Sequence, residues 1–347
     1  MTSRLVEGFS PTRVERWLEG SIEGLKSPFV WKRLTGGHSN ITYMLQATTG
    51  KRFVIRRPPI GNLLPGAHDM KREWSLISGL GQASFPVPGA LAFCDDKEVA
   101  DAPFYVMTFE DGLTLRTAQD VEVSVATDKR VALANSLIDT LAHLHSLPPE
   151  EIGLGQLGKK EGYVARQITT WYRSWISSMG VSHFDQVLVH ELKEHLEKNI
   201  PSQAAARIVH GDYGLHNCLV DSNKGVSTVV DWEISTLGDP LVDLAYVLKS
   251  WPDSQGMSVA AENSASSAAG FPLRETLMDR YSSSASCRLQ NFDFYIAFNH
   301  WKSAAVLHGV YSRYLEGKKR HDGVDLQALL KRIERELVAA ERAASLF

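Results

Sequence analysis

The sequence predicts an α+β protein in which a small antiparallel sheet precedes a larger, mainly helical domain. Short β-rich runs separated by glycine turns dominate the first third of the chain, and after Asp111-Gly112 leucines recur at helical spacing. With 347 residues, 44% of them hydrophobic, the chain is long enough for two domains. We therefore expect one domain over residues 1–110 and a second over residues 111–347.

The first domain is predicted to begin with a short helix that starts at Pro11 after a Ser10 cap and buries Val14 and Leu18. The predicted strands are Phe29–Leu34, Ile41–Ala47, Phe53–Arg56, Ala90–Phe93 and Phe104–Phe109. A second helix is predicted from the apolar stripe of Met70, Trp74, Ile77 and Leu80. The strands form a meander, with this helix inserted before the last two.

The second domain is predicted to be helical with one small β insert. An apolar face marks its first helix, through Leu133, Leu137, Leu141 and Leu144, and a similar face marks the last helix from Leu326 to Leu337. Between them, Asn217–Val220 and Val226–Asp231 are predicted to form a hairpin with Gly225 near the end of its loop. Residues 254–270, rich in Ser, Ala and Gly, are interpreted as a mobile connector.

Composition and charge exclude several classes of protein. The chain has 37 Lys and Arg against 40 Asp and Glu, so no basic excess indicates a nucleic acid or an anionic membrane as partner. The N-terminal sequence lacks the apolar core of a signal peptide, and no stretch approaches the roughly 18 apolar residues of a membrane span. Cys94, Cys218 and Cys287 form no CxxC motif. We expect a cytoplasmic protein without a disulfide framework or a cysteine-held zinc ion.

Two patterns resemble functional motifs but lack the required structural context. Residues 153–158 match GxGxxG, and Gly153–Lys159 matches GxxxxGK, yet both follow a predicted helix end rather than a strand. We interpret this stretch as a plain glycine-rich loop. His143 and His145 are two residues apart on a predicted helix and so point to different faces, which favours surface or capping roles over metal binding.

The stretch from Ile208 to Val220 carries the strongest indication of chemistry. Asp212 follows a buried apolar run and a glycine, which places its carboxylate on a sharp loop at the end of a strand. Asn217 is predicted to begin the next strand, and Asp231 to end that strand's antiparallel partner. Because antiparallel pairing brings the start of one strand beside the end of the other, we expect Asn217 and Asp231 to be neighbours.

An amide oxygen beside a carboxylate is a pair of hard ligands that suits Mg²⁺, which takes its other ligands from water and phosphates. Asp212 would stand near this pair and accept a proton from a hydroxyl group. An aspartate for the nucleophile and an Asn–Asp pair for the metal are the parts of a phosphoryl-transfer site. The alternative, that all three only form turns, explains each residue but not the ordered set.

These motifs resemble the aminoglycoside phosphotransferase-like kinases, a branch of the protein-kinase-like fold that includes choline, homoserine, fructosamine and macrolide kinases. The motifs are His210-Gly-Asp212…Asn217, Asp231-Trp-Glu, and Gly238-Asp-Pro…Asp243. Further stretches, such as Arg56-Arg57-Pro58-Pro59, are similar to the kinase-like domains found alone in bacteria or fused to acyl-CoA dehydrogenases in animals. The resemblance implies a two-lobed fold, with residues 1–110 as the N-lobe and residues 111–347 as the C-lobe.

The resemblance also implies roles for the residues of the catalytic region. Asp212 is implied to be the catalytic base, and Asn217 and Asp231 the magnesium ligands. His210 is implied to brace the loop, and Asp243 to anchor it through hydrogen bonds. The implied reaction is the ATP- and Mg²⁺-dependent phosphorylation of a hydroxyl group on a small metabolite, with neither nucleic acid nor membrane as partner.

The implied nucleotide site lies in the N-lobe. The turn Gly36–Asn40 takes the place of the phosphate-covering loop, Arg56 takes that of the strand cation that pairs with Glu73, and Met107–Glu110 takes that of the hinge. The residues implied to bind the nucleotide are Gly37, Ser39, Asn40, Arg56, Glu73, Met107 and Phe109.

One residue departs from the family pattern. Most kinases of this fold have lysine where this chain has Arg56, and arginine grips phosphate bidentately but is bulkier. A catalytically weak, nucleotide-binding regulatory module is therefore kept as an alternative. A protein kinase is disfavoured, because the chain has neither an HRD-type loop nor an activation segment ending in APE.

For the acceptor, we expect Trp171–Trp175 and His300–Arg313 to line the cleft. Both segments are aromatic and basic and contain no Asp or Glu, which favours a hydroxyl compound with acyl character and an anionic group over a polycationic aminoglycoside. The alternatives are a core position for the three aromatic residues from Trp171 to Trp175 and a solvated position for Arg313. The basic cluster Lys318–His321 is expected to be solvated.

Overall fold

The computed structural model describes residues 6–34, 40–61, 68–182, 186–203, 205–254, 256, 258, 264–285, 288–318 and 323–347. The chain divides into two compact units. The sheet unit comprises Met1–Gly112, Pro149–Leu157 and Ser227–Ile234, and the helical unit comprises Leu113–Pro148, Gly158–Val226 and Ser235–Phe347. The predicted α+β fold is confirmed. The exact lobe boundary after residue 110 stays a prediction.

The sheet unit contains a five-stranded antiparallel sheet with strand order β1-β2-β3-β5-β4. Its elements are α1 (Pro11–Ser21), β1 (Val30–Arg33), β2 (Ile41–Gln46), β3 (Arg52–Arg57), α2 (Met70–Gln82), β4 (Ala90–Cys94) and β5 (Phe104–Thr108). Each predicted strand is present to within one residue at either end, because alternating β-branched and aromatic residues bounded by glycine turns are a strong local signal.

Consecutive residues of β5 point to opposite faces of the sheet. The ring of Phe104 packs on Trp17 of α1, with the centroids 5.1 Å apart, and the ring of Tyr105 packs on Trp74 of α2, with the centroids 6.3 Å apart. The two helices therefore cover opposite faces. Where the sheet packs on α2, the Tyr105 hydroxyl donates a hydrogen bond to the buried Glu73 of α2 at 2.9 Å, so this packing includes polar groups as well as apolar ones.

The two helices begin in different ways. Asp69 caps α2, because its carboxylate accepts a hydrogen bond from the backbone N–H of Arg72 at 3.0 Å. Ser10 is the N-cap residue of α1, as predicted, but its side chain makes no capping hydrogen bond. Pro11 suffices there, since the first helical residue needs no N–H donor.

The helical unit packs its helices around one long, buried helix. Its elements are α3 (Ala118–Ser124), α4 (Arg130–Ser146), α5 (Tyr163–Ser182), α6 (Val187–Lys198), β6 (Arg207–Val209), β7 (Cys218–Asp221), the start of β8 (Gly225–Val229), β9 (Thr236–Gly238), α7 (Pro240–Leu248), α8 (Arg274–Ser284), α9 (Phe292–Leu315) and α10 (Leu326–Ala344). From Ser227 onward, β8 is assigned to the sheet unit. β6 pairs with β9, and β7 with β8. Helices α5, α7 and α10 pack against α9, whose buried residues face all directions, as in a central helix.

The hairpin of β7 and β8 requires glycine at its turn. Gly225 has φ +96°, a conformation that other residues adopt only with strain. A Cβ atom at this position would also lie 2.5 Å from the side chain of Ser136. This glycine, predicted from the loop composition, therefore fixes where the hairpin turns and where it rests on α4.

The glycine-rich stretch at 153–158 is a structural loop, as predicted. It follows the end of α4 rather than a strand. A Cβ atom on Gly79 of α2 would lie 2.7 Å from the carbonyl oxygen of Ile152, so the loop packs closely on α2.

The predicted mobile connector is wrong for the part of it that the structure describes at residues 264–270. Ala265, Ser266 and Ala268 are buried, and the hydroxyl of Ser266 donates to the carbonyl of Ser250 at 2.9 Å. Small side chains here allow close packing, which composition alone does not distinguish from a flexible linker. Residues 255, 257 and 259–263 lie outside the described residues.

Cys94 and Cys218 are buried free thiols, while Cys287 lies outside the described residues. In the described ranges, no helix has both the length and the apolar character needed to cross a membrane.

Candidate active site

Asp212 stands on a loop that follows β6 and is tied to a buried carboxylate. Asp243 of α7 accepts hydrogen bonds from the backbone N–H groups of His210 at 2.5 Å and Gly211 at 2.9 Å. Gly211 has φ +87°, which glycine adopts at little cost. The loop therefore turns sharply at the residue before Asp212, and Asp243 makes the backbone contacts that anchor it.

Asp243 is itself supported by His145. The imidazole Nε2 of His145 lies 3.6 Å from Asp243 Oδ2, and Nδ1 is hydrogen-bonded to the hydroxyl of Tyr281 at 2.7 Å. Burial disfavours the charge of Asp243, but the contacts with His145, His210 and the backbone keep the pKa of this carboxyl below its ordinary value.

The predicted surface or capping role is wrong for His145, whose side chain is buried against Asp243. The sequence shows only that His145 is a polar residue on a predicted helix. Its position on that helix does not indicate that it contacts Asp243, which lies 98 residues later in the chain. The contact between His145 of α4 and Asp243 of α7 shows that this imidazole belongs to the site.

The Asp212 carboxylate is held from three sides. Its Oδ1 accepts a hydrogen bond from the Tyr246 hydroxyl at 2.5 Å and lies 3.2 Å from Nε2 of His216, and its Oδ2 accepts from Nδ2 of Asn217 at 3.0 Å. Burial opposes the charge, but the contacts with His216 and Tyr246 lower the pKa of Asp212 to about 2. The group is therefore ionised and oriented at neutral pH.

Asn217 does not begin a strand, as the sequence predicted, but ends the 3-10 turn Leu215–Asn217 just before β7. Its side chain donates to the backbone oxygen of Asp212 at 2.9 Å as well as to the carboxylate. Asparagine side chains readily form such hydrogen bonds to the nearby backbone, which competes with strand pairing. This explains why Asn217 lies just before β7 rather than in it. With the amide N–H₂ committed to Asp212, the amide oxygen is the group available to a cation.

Asp231 does not end β8 but lies two residues beyond it, in the sheet unit, with φ +68°. Aspartate and asparagine tolerate this left-handed conformation better than most residues. Its carboxylate accepts a hydrogen bond from Arg56 Nη2 at 2.8 Å. Asp231 and Asn217 belong to different units, and their expected proximity stays a prediction.

Arg56 is surrounded by carboxylates within the sheet unit. Besides Asp231, its Nη2 lies 3.2 Å from Glu233 Oε2, and its Nε lies 3.2 Å from Glu73 Oε2. Burial opposes the charge, but Tyr105 and the nearby carboxylates raise the pKa of Arg56 above its ordinary value. The expected contact between Arg56 and Glu73 is present. Glu233, which is part of the Asp231-Trp-Glu motif but had no predicted role, also contacts Arg56.

The other residues expected to bind the nucleotide lie in different parts of the sheet unit or outside the described residues. Nδ2 of Asn40 donates to Glu73 Oε1 at 3.2 Å and to Glu233 Oε2 at 3.1 Å, so Asn40 belongs to the Arg56 cluster. Met107 lies in β5 opposite Val54 of β3, and Phe109 follows β5. Gly37 and Ser39 lie outside the described residues.

A cavity of about 370 Å³ opens beside Asp212 within the helical unit. Its wall includes His216 and Tyr246, both of which contact Asp212, together with Arg116, Lys249 and Arg332. The volume falls in the roughly 300–1,000 Å³ range of small-molecule sites. His216 and Tyr246 thus connect the cavity wall to the Asp212 carboxylate, which is ionised, oriented and able to accept a proton.

The segment Trp171–Trp175, expected to line the cleft, does not contribute to this cavity, whereas Ser303 of the expected segment His300–Arg313 does. Trp175 is buried and stacks on His308, with ring centroids 3.9 Å apart, so its alternative as a core residue is confirmed. Arg313 is exposed. Lys318 pairs with Glu316 at 2.9 Å, and residues 319–322 lie outside the described residues.

A family model described as the phosphotransferase enzyme family, APH, matches residues 30–277. The chain belongs to the APH family. The implied kinship with aminoglycoside phosphotransferase-like kinases is thereby confirmed.

Curated relatives of this APH-family chain are acyl-CoA dehydrogenase family member 11 proteins. The chain is 36% identical to the Pongo abelii protein over 326 residues, 89% of this chain and 40% of that protein. It is 35% identical to the Gallus gallus protein over 295 residues, 82% of this chain and 37% of that protein. The chain thus spans about two fifths of the length of these relatives.

Solved structures of APH-like kinases share the fold. A Ralstonia eutropha protein assigned to the aminoglycoside phosphotransferases superposes with a TM-score of 0.82 at 27% identity, covering 97% of this chain and 98% of that one. Choline kinase from Cryptosporidium parvum gives 0.65 at 14% identity, with 95% of each chain covered. A spectinomycin phosphotransferase in complex with ADP and spectinomycin gives 0.61 at 13% identity, covering 96% of this chain and 98% of that one.

Proposed function

We propose that this chain is an ATP- and Mg²⁺-dependent phosphotransferase that acts on a hydroxyl group of a small metabolite in the cytoplasm. The observation that carries the proposal is the Asp212 carboxylate, which is ionised, held by three side chains and placed beside a cavity of metabolite size. Membership of a phosphotransferase family supports the same reaction.

In the proposed reaction, the acceptor oxygen attacks the γ-phosphorus of ATP, the bond from that phosphorus to the bridging oxygen breaks, and ADP leaves with the electron pair. The acceptor's proton passes to Asp212. A carboxylate with a pKa of about 2 is a weak base, which suits a loose transition state in which the proton leaves late and the carboxylate mainly orients the hydroxyl. The hydrogen bonds from Tyr246 and Asn217 keep Asp212 in one orientation.

We assign the Mg²⁺ ligands to Asn217 and Asp231. The donor set fits a hard cation, since Asn217 offers its amide oxygen and Asp231 a partly exposed carboxylate. Bound Mg²⁺ would neutralise charge on the β- and γ-phosphates. Asp212 holds the Asn217 amide in place and so acts on the metal site through this residue.

We assign the nucleotide site to the sheet unit, with Arg56, Asn40 and Glu73 near the phosphates and Met107 and Phe109 beside the base. Gly37 and Ser39, which the family resemblance implies as phosphate-binding residues, lie outside the described residues. The contact between Arg56 and Glu73 supports this assignment, because it matches the pair of strand cation and helix glutamate that the family resemblance implies. Since Asp231 and Glu233 also surround Arg56, the phosphates would bind there together with Mg²⁺. The ADP complex of a kinase with the same fold supports a nucleotide in this family.

An acceptor screen tests the proposed function. With ATP and Mg²⁺, ADP release is expected to rise with hydroxy acids or hydroxyacyl-CoA esters, and not with kanamycin-type aminoglycosides, because half-buried ammonium groups need carboxylate partners. The curated relatives' acyl-CoA dehydrogenase names suggest the acyl class. Efficient turnover of an aminoglycoside with none on the acyl panel would contradict this acceptor assignment.

Tyr246→Phe tests how Asp212 is oriented. The substitution keeps the ring and removes only the hydroxyl that donates to Asp212. A hydrogen bond to a charged group contributes roughly 1.5–3 kcal/mol, so kcat is expected to fall about tenfold. Because the lost bond favours the ionised form, the pKa of Asp212 rises and the acid limb of the rate profile moves to higher pH.

The matched control is Tyr172→Phe, which removes a phenol hydroxyl that bonds to His190 instead of Asp212. It is expected to leave both kcat and the acid limb in place. Unchanged kcat and an unchanged acid limb in Tyr246→Phe would show that Tyr246 does not orient the carboxylate.

A further inference from the structure

The cavity beside Asp212 has an uneven balance of charge. In the described part of its wall the charged side chains are Arg116, Lys249, Arg332 and Glu336. Glu336 is already neutralised, because Lys249 Nζ lies 2.9 Å from its Oε2 and His300 Nδ1 lies 2.8 Å from the same oxygen. The two arginines therefore leave the wall with positive charge.

Backbone hydrogen bonds and the charge of Arg116 keep the pKa of Asp120 below its ordinary value, but no described carboxylate holds either arginine in an ion pair. No Asp or Glu among the described residues forms an ion pair with the guanidinium of Arg116 or Arg332. Arg332 stands one helical turn before Glu336 on α10, where i and i+4 side chains are neighbours, yet the Glu336 carboxylate is turned to Lys249 and His300. Both arginines are exposed and keep their donors for a ligand.

The two arginines come from elements that the fold holds in place. The backbone N–H of Arg116 donates to Asp120 at 3.0 Å, within the capping box that starts α3. Arg332 lies in the middle of α10, which packs on α9. The charge of Arg332 also acts on the buried phenol of Tyr246, where it partly offsets the rise in pKa that burial causes.

The rest of the wall is suited to an apolar skeleton. Leu115, Leu137 and Trp251 contribute to the wall, and the indole N–H of Trp251 is already donated to the carbonyl of Pro272 at 2.9 Å. The wall therefore offers apolar surface in addition to the arginines and the residues that contact Asp212. A ligand with a hydroxyl near Asp212 and an anion elsewhere matches the distribution of groups.

We infer that this cavity is the acceptor pocket and that Arg116 and Arg332 select an acceptor carrying an anionic group, a carboxylate or a phosphate, on an apolar skeleton. Planar guanidinium groups bind both anions through paired N–H donors. The inference rests on the proposed phosphotransferase function and names the substrate class of that site.

The test compares Arg116→Gln, Arg332→Gln and the double variant with wild type, using ATP, Mg²⁺ and matched acceptors. One arm uses hydroxy acids, a second uses sugar phosphates and hydroxyacyl-CoA esters, and a third uses neutral alcohols of similar size. Each substitution is expected to lower kcat/KM for anionic acceptors about tenfold, mainly through KM, and to shrink the preference for anionic over neutral acceptors. The first two arms show whether the anion is a carboxylate or a phosphate.

Arg342→Gln is the matched control, since it removes a guanidinium from the same helix at an exposed position outside the cavity wall. It is expected to behave as wild type. As a second measurement, KM of wild type for the best anionic acceptor is expected to rise with salt, and this dependence is expected to weaken in the double variant.

The outcomes separate this inference from the proposed function. Anionic acceptors that wild type, both arginine variants and the double variant use with the same kcat/KM would overturn the anionic pocket and leave the phosphotransferase in place. Tight Mg²⁺-ATP binding without transfer to any acceptor class overturns the proposed function, and the acceptor pocket with it.

Discussion

Asp212→Ala is expected to reduce kcat by at least about 10²-fold while leaving nucleotide affinity within a few-fold of wild type. Positioned acid–base groups typically contribute roughly 10²–10⁴-fold, and this contribution appears only along the reaction path. The measurement is ADP release at saturating acceptor, with nucleotide affinity from calorimetry. Tyr246 and His216, two of the three side chains that lose their partner, line an open cavity, where water can replace the carboxylate.

Asp279→Ala is the control for Asp212→Ala, because it removes an exposed carboxylate of α8 that lies outside the cavity wall. Its kcat is expected to match wild type. An Asp212→Ala variant that keeps more than about a tenth of the wild-type kcat would remove Asp212 from the role of base.

Asp231→Asn is expected to abolish the effect of Mg²⁺ on ATP binding. Asparagine tolerates the left-handed backbone at this position, so the substitution removes the charge without forcing the chain to move. Because Asp231 is assigned to the metal, ATP affinity in the presence of Mg²⁺ is expected to fall at least about tenfold, whereas affinity without Mg²⁺ stays within a few-fold. Titration calorimetry with and without Mg²⁺ measures both.

Glu233→Gln separates metal binding from a change at Arg56. Glu233 also contacts Arg56, at 3.2 Å. Its substitution therefore removes a different carboxylate from the guanidinium that Asp231 contacts. It is expected to keep most of the Mg²⁺ dependence. An equal loss in Glu233→Gln and Asp231→Asn would mean that both act through Arg56, and the assignment of Asp231 to the metal would be wrong.

The secondary-structure elements and the loop that carries Asp212 were predictable because their signals are local. Alternating apolar residues place the strands, and glycine at 211 and 225 marks two sharp turns. The motif around Asp212 fixes a short loop, and the family it indicates is confirmed by the match over residues 30–277. Such features depend on neighbours a few residues away, which a sequence displays directly.

Features that depend on distant contacts were missed or misplaced. The support of Asp243 by His145 depends on how α4 packs, and neither residue's local pattern indicates it. The cavity wall draws Arg116, Tyr246 and Arg332 from three parts of the chain, whereas Trp175, which was expected to line the cleft, is a core residue. Helical phase tells which side of a helix is apolar, but not which neighbour covers it.

Transfer of the γ-phosphoryl group of ATP to a hydroxyl group can be measured directly by labelling that phosphoryl group. The protein is incubated with γ-³²P-labelled ATP, Mg²⁺ and the hydroxy-acid and hydroxyacyl-CoA panel, and products are separated by chromatography. We expect ³²P label to appear in a phosphorylated acceptor. This labelling should require Mg²⁺ and should be absent with the Asp212→Ala variant. Saturable binding of Mg²⁺-ATP with no labelled acceptor from any class would contradict it and favour a nucleotide-binding regulatory module.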